Sequence, residues 1–275
     1  MKLSHARIGI LILTILVATS GCGYINGIRA KSQLNEAVSA YKDKKYDDAE
    51  KYARKAMELD PTNENAPLIL AVTLQTQYRR GDPSDPNIKR AEEAINLYRQ
   101  VEAKDPNNDQ AFTAVTILLG YLDKKDEQRT WLEKRANDGA VSGERRSDAY
   151  AFLANKDWEC SIEVTDKNKQ NVSKPDGSVS VQYKKPQDAG EYDKAQQCMT
   201  HGLQMAETAI SMKPDNETAW GQKYNLLREA AKLAKMDENE GKAADYEKQA
   251  LEALKRTQQL HEQNKTPDTP AQPAS

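Results

Sequence analysis

Apolar positions in the first third of the chain recur at three, four and seven residues. Leu34, Ala37 and Tyr41 form one such set, and Tyr46, Ala49 and Ala56 the next. This is the spacing of one face of an α-helix. The recurrence is punctuated by a short phrase: a Pro that ends one helix, an Asn two residues on, and a small residue that opens the next. It reads Pro61-Thr62-Asn63-Glu64-Asn65-Ala66, then Pro106-Asn107-Asn108-Asp109-Gln110-Ala111, then Pro214-Asp215-Asn216-Glu217-Thr218-Ala219. Pro disfavours the helical conformation in the residue before it, so the incoming helix stops there. The Asn side chain can cap the free amides of the helix that follows. The pattern predicts five helical pairs, at about 32–44 with 46–59, 65–78 with 88–104, 110–122 with 126–136, 144–158 with 188–212, and 218–235 with 240–263.

One segment departs from the helical period. Between residues 161 and 186, Ile162-Glu163-Val164-Thr165 and Ser178-Val179-Ser180-Val181-Gln182-Tyr183 alternate apolar and polar, as a half-buried strand does. Pro175-Asp176-Gly177 between them is a turn signal. The expectation is a β-hairpin with a polar, mobile tip, inserted in the fourth pair. Residues 266–275 hold three prolines and read as a disordered tail.

The helical phrase resembles the tetratricopeptide repeat. Its best unit runs from about Ser32 to Pro61, with Ala37, Ala49 and Ala56 at the family's small positions, Tyr46 at its inter-helix Tyr and Pro61 closing the unit. Later units are degenerate. The resemblance implies an all-α solenoid over residues 32–265, whose pairs must stack to bury their apolar faces. It fixes no ligand. Some members clamp a partner's terminal carboxylate with Lys and Asn on the inner helices. Here the matching positions are Leu34, Val38, Leu68 and Val72, which departs from that clamp. Those residues either pack on the preceding unit or face a groove that takes an amphipathic segment. The candidate groove residues are Tyr41, Gln75, Ile117, Trp158, Asn225 and Arg228.

The N-terminus reads as a targeting signal. Lys2 and Arg7 make a positive region, Ile8 to Ala18 an apolar one, and Ala18-Thr19-Ser20-Gly21 supplies small residues before Cys22. The stretch resembles a bacterial lipoprotein signal, with Thr19 where that family usually carries an aliphatic residue. The resemblance implies removal of residues 1–21, palmitate and other acyl chains on Cys22, and a short tether over 22–31. Gly23, rather than Asp, implies the periplasmic face of the outer membrane. Ordinary secretory cleavage, leaving Cys22 as a spare thiol, is the other reading.

Composition narrows the function. Forty basic and 42 acidic residues leave a net charge of −2, without the basic excess of a nucleic-acid binder. No phosphate-cradling Gly loop, Gly-x-Ser-x-Gly elbow or His-Glu-x-x-His pair occurs, so no catalytic residue, metal site or cofactor is expected. His201 and His261 read as surface or inter-helix residues. Cys160 and Cys198 bracket the insertion, and in an oxidising compartment they are expected to form a disulfide. The expected function is a lipid-anchored, non-enzymatic scaffold or adaptor of the bacterial envelope that binds another protein or peptide segment through a concave groove. Two alternatives stay open. One is an assembly factor resembling the repeat lipoproteins of outer-membrane barrel insertion or of pilus secretin assembly. The other is a ligand-binding module built on residues 161–186.

Overall fold

The computed structural model describes residues 25–173 and 175–265. Among them are ten helices and one two-stranded sheet. The signal segment, Cys22 with its lipidation, and the tail 266–275 lie outside the described residues. Helix α1 spans 25–42. It is followed by α2 (Tyr46–Leu59), α3 (Ala66–Gln77), α4 (Asp85–Lys104), α5 (Asp109–Tyr121), α6 (Lys125–Asn137) and α7 (Gly143–Lys167). Strands β1 (Lys169–Ser173) and β2 (Val179–Tyr183) come next, then α8 (Ala189–Met212), α9 (Glu217–Met236) and α10 (Glu240–Lys265). The fold is all-α, built of five helical pairs with a hairpin inserted in the fourth. It comprises two compact units, with the boundary inside α6 between Gln128 and Arg129.

The Asn of the recurring phrase starts the helices as its chemistry requires. Asn63 Oδ1 accepts from the amide of Ala66, Asn108 Oδ1 from Ala111, and Asn216 Oδ1 from Ala219, at 2.9–3.0 Å. Each bond satisfies an amide that has no partner within the helix. The small residue that follows each cap, Ala66, Ala111 or Ala219, is fully buried, because the helix start is pressed against its neighbours.

In the first unit the packing surface is lined with alanines. Ala37, Ala49, Ala53 and Ala56 are all at 0 % exposure, which lets helices approach closely, and the larger Leu70 and Leu74 of α3 and Tyr98 of α4 are buried as well. Arg54 of α2 reaches Glu93 of α4 in a bidentate pair, at 2.6 and 2.8 Å. Helix α1 starts earlier than the sequence pattern implies. The tether expected over 22–31 is helical from residue 25, because Ala30 lies seven residues before Ala37 and is buried like it.

In the second unit α7 and α8 form the central pair, and α9 packs on both. Two expectations are corrected here. Ile162 to Thr165 is not a strand but the last turns of α7, and the first strand is the more polar Lys169–Ser173. Four residues of alternation fit a helix as well as a strand, and distant partners decide between them. Val164 joins a core with Tyr192, Ala195, Met199 and Leu233, and Thr165 donates to the buried Glu229 carboxylate at 2.6 Å. Lys232, at 2.5 Å from the same carboxylate, neutralises it. The second correction concerns the cysteines. Cys160 and Cys198 are bonded, with Cα atoms 6.0 Å apart, but Cys160 lies within α7 rather than at its end. The bond therefore ties two helix interiors together.

The hairpin is antiparallel, with Lys169 opposite Tyr183 and Ser173 opposite Val179. Asp176 Oδ1 accepts from the Ser178 amide and hydroxyl, and Gly177 takes φ +81°, a conformation that favours glycine. The base of the hairpin is held on the helices. The Lys232 ammonium lies 5.4 Å from the Tyr183 ring, and Lys185 pairs with Asp237 at 2.6 Å while lying 4.7 Å from the Tyr192 ring.

Candidate functional site

In the first unit, the first helices of successive pairs repeat a surface stripe. Leu68, Val72 and Gln75 of α3 follow Leu34, Val38 and Tyr41 of α1 by 34 residues each. Positions i, i+4 and i+7 stand on one side of a helix. Leu34, Val38, Leu68 and Val72 are all half-buried, neither sealed in the core nor fully wet. The face they make is apolar in the middle. Its polar end is fixed by hydrogen bonds: the Tyr41 hydroxyl lies 3.0 Å from Thr76 Oγ1, and the Tyr98 hydroxyl donates to Gln75 Oε1 at 2.6 Å. Burial pushes the Tyr98 phenol well above its ordinary value, so it stays a donor.

Counted from the Asn of the recurring phrase, Ile117 of α5 stands 9 residues after Asn108, as Val72 does after Asn63. It is exposed, with Tyr121 one turn further on. Tyr121 stacks on Tyr78 with ring centroids 6.2 Å apart, and the Arg80 guanidinium lies 4.7 Å from the Tyr121 ring. This Tyr78–Tyr121–Arg80 cluster lies outside the residues that the sequence pattern singles out. Its signal was available in the matched ends of α3 and α5, but the pairing itself is long-range. A polar cleft of about 710 Å³ also opens in this unit, lined by Lys44, Asp47, Gln77, Arg79, Asp82 and Arg90 among others. Its charges are mixed in sign.

In the second unit, Asn225 and Arg228 of α9 occupy the places equivalent to Val72 and Gln75, 9 and 12 residues after the cap Asn216. Asn225 is half-buried. Arg228 is exposed, and its Nη1 donates to the Tyr224 hydroxyl at 3.3 Å. Trp158 is largely occupied in packing, against Ala154, Ala206 and Leu226. Phe152, one to two turns earlier on α7, is the more exposed aromatic. The buried Asp157 carboxylate bonds Arg129 and, at 2.6 Å, His201 Nδ1. That makes His201 an inter-helix residue linking α8 to α7. His261 is likewise tied to another helix, 2.9 Å from Glu217.

These observations define a class: a repeat scaffold of helical pairs whose first helices carry equivalent side chains at regular intervals. Residues 30–63 match the tetratricopeptide repeat. The chain thus holds a tetratricopeptide repeat at its N-terminal end, within a solenoid of helical pairs of the same type. Among solved structures, a crystal structure of MamA protein is 17 % identical, aligning 85 % of this chain with 96 % of that one at a TM-score of 0.45. MamA from Desulfovibrio magneticus RS-1 is 11 % identical, over 86 % and 98 %, with a TM-score of 0.40. PilF from Pseudomonas aeruginosa is 16 % identical, over 86 % and 99 %, with a TM-score of 0.34. Similarities this distant carry no functional argument. No curated protein matches the sequence. Among the described residues, no helix is long and apolar enough to cross a membrane.

Proposed function

We propose that this is a lipid-anchored, non-enzymatic scaffold of the bacterial cell envelope, held at the periplasmic face of the outer membrane through Cys22 and binding another protein. The observation that carries the binding role is the half-buried apolar stripe Leu34, Val38, Leu68 and Val72, repeated on α1 and α3. Residues of this kind are too dry for a solvated face and too open for a core. They fit the apolar side of an amphipathic helix laid along the first unit. The anchor is supported by the sequence alone: a positive start, an apolar run and small residues before Cys22. Several acyl chains on one Cys give a firm hold where a single chain gives a marginal one.

Two measurements test the reading separately. Crosslinked co-purification from membranes should recover a stoichiometric partner with the wild type and lose it with Val38→Glu plus Val72→Glu, while the circular dichroism of the variant is unchanged. Recovery of the same partner by a folded double variant would remove the groove from the proposal. For the anchor, intact mass of the membrane-extracted protein should exceed the mass of the polypeptide from Cys22 by that of the acyl chains, and Cys22→Ser should release the protein from membranes. An unmodified mature N-terminus would sink the anchoring half and leave the binding half standing.

A further inference from the structure

The hairpin presents a feature that the helical array does not use. The Lys184 amide donates to the Asn168 carbonyl at 3.0 Å. In an antiparallel ladder the bonded pairs alternate, so Gln182 and Ser180, opposite Gln170 and Val172, also turn their backbone groups toward β1. Val179, Val181 and Tyr183 consequently turn theirs toward the outer edge of β2, and the sheet ends there, since its order is β1-β2. Val179 and Val181 are 63 % and 51 % exposed, among the most exposed large apolar side chains among the described residues. From Ser178 to Tyr183 the strand carries no charge, no Pro and no Gly. Protected edges usually carry one of these as a block to pairing, and this one has none.

The charges stand at the two ends instead. Asp176 precedes the strand and Lys184, exposed, follows it. We propose that the outer edge of β2 is a self-association surface, on which β2 of a second copy pairs antiparallel about a two-fold axis at Ser180. In that register Val179 lies opposite Val181 of the second copy, and both are residues whose backbone groups face outward, so the two exchange hydrogen bonds. The antiparallel arrangement also brings Lys184 of the second copy toward the turn that carries Asp176, and by symmetry this approach occurs twice. A parallel arrangement would set Asp176 beside Asp176 and lose both attractions. The product is a four-stranded sheet, which holds better in water than an isolated hairpin. The contact is isologous, as a two-fold axis requires. Its small size places it among weak, reversible interfaces, with dissociation at roughly micromolar concentrations. The inference is independent of the groove on the first unit.

Sedimentation velocity on the full chain carrying Cys22→Ser, which cannot be acylated, tests it over roughly 1–200 µM. The expected result is a reversible monomer–dimer equilibrium within that range. Val181→Pro removes an outward amide while sparing the ladder to β1, and should leave the chain monomeric. Lys184→Glu sets like charge against Asp176 and should weaken the dimer by about tenfold, with the deficit shrinking in high salt. Hydrogen exchange supplies a readout that needs no variant. The Val179 and Val181 amides should slow as protein concentration rises, while the Ser180 and Gln182 amides are protected throughout. A wild type that stays monomeric across the range overturns the proposal, including the case where it pairs only with an extended segment of another protein. So does a dimer whose Val179 and Val181 amides exchange as fast as the monomer's.

Discussion

At the level of single residues, two polar side chains illustrate how cost depends on surroundings. Asn63 and Asn216 each accept the amide three residues on, but they are not equivalent: Asn216 is the N-cap of α9, whereas Asn63 stands two residues before the N-cap of α3, Asn65. Asn216 is 4 % exposed, and its Nδ2 also donates to Ser147 and Asp148 at 2.8 and 2.9 Å. Asn63→Ala should cost about 1 kcal/mol, through loss of its bonds to the Asn65 and Ala66 amides. Asn216→Ala should cost about 2–3 kcal/mol, because two further acceptors lose a buried donor; urea denaturation of the two variants gives the comparison. The Arg54–Glu93 pair makes a pH-dependent prediction. Its hydrogen bond to Arg54 holds the Glu93 carboxyl below the usual carboxylate range. A depressed folded value contributes stability above that range and loses it as pH falls through the folded value. Arg54→Ala should therefore destabilise by roughly 0.5–1 kcal/mol near neutrality, a figure kept small by the solvent exposure of both partners. The difference from wild type should shrink only once the pH falls below the depressed Glu93 value, not at the ordinary carboxylate range. The capping Asn residues could be read from the chain because a cap is a local event, settled within three residues. The bond from Tyr98 to Gln75 could not, since 23 residues separate them. Gln75 on an inner stripe reads as available for a ligand until its partner on α4 is known.

At the level of elements, the fourth pair shows where local pattern and tertiary packing disagree. The alternation at Ile162–Thr165 reads as strand, yet Val164 and Thr165 are placed by Tyr192, Leu233 and Glu229, residues of α8 and α9 that no local window contains. The turn at Asp176-Gly177 was legible because its chemistry is its own. The close approach of α7, α8 and α9 depends on one glycine. A Cβ on Gly202 would stand 2.7 Å from Leu226 Cδ2 and 2.9 Å from Asp157 Cβ. Gly202→Ala should cost about 1–3 kcal/mol through overpacking, even though alanine favours helices. A melting temperature that rises instead would mean that helix propensity outweighs the clash. The phrase Pro-x-Asn-x-x-Ala marks three helix starts, those of α3, α5 and α9, whereas the partners of Asp157 and the extension of α1 to residue 25 depend on contacts that the phrase does not encode.

At the level of the whole molecule, the five pairs fall into two compact units, and only the second carries a covalent tie. Closing a separation of 38 residues is worth about 4 kcal/mol on the loop-entropy model, less any distortion. Reductant, or Cys160→Ser with Cys198→Ser, should speed backbone hydrogen exchange in α7–α10 and leave α1–α5 largely unchanged. Equal acceleration everywhere would show that the units unfold as one. The bond has a further consequence for the stretch it encloses. Because α7 and α8 are fastened on the helix side of the insertion, the chain between residues 168 and 188 does not have to hold them together. That stretch can be treated as an exchangeable cassette. Replacing residues 169–183 with a foreign epitope or a reporter peptide should preserve the helical frame, which makes the fourth pair a natural socket for display on this scaffold.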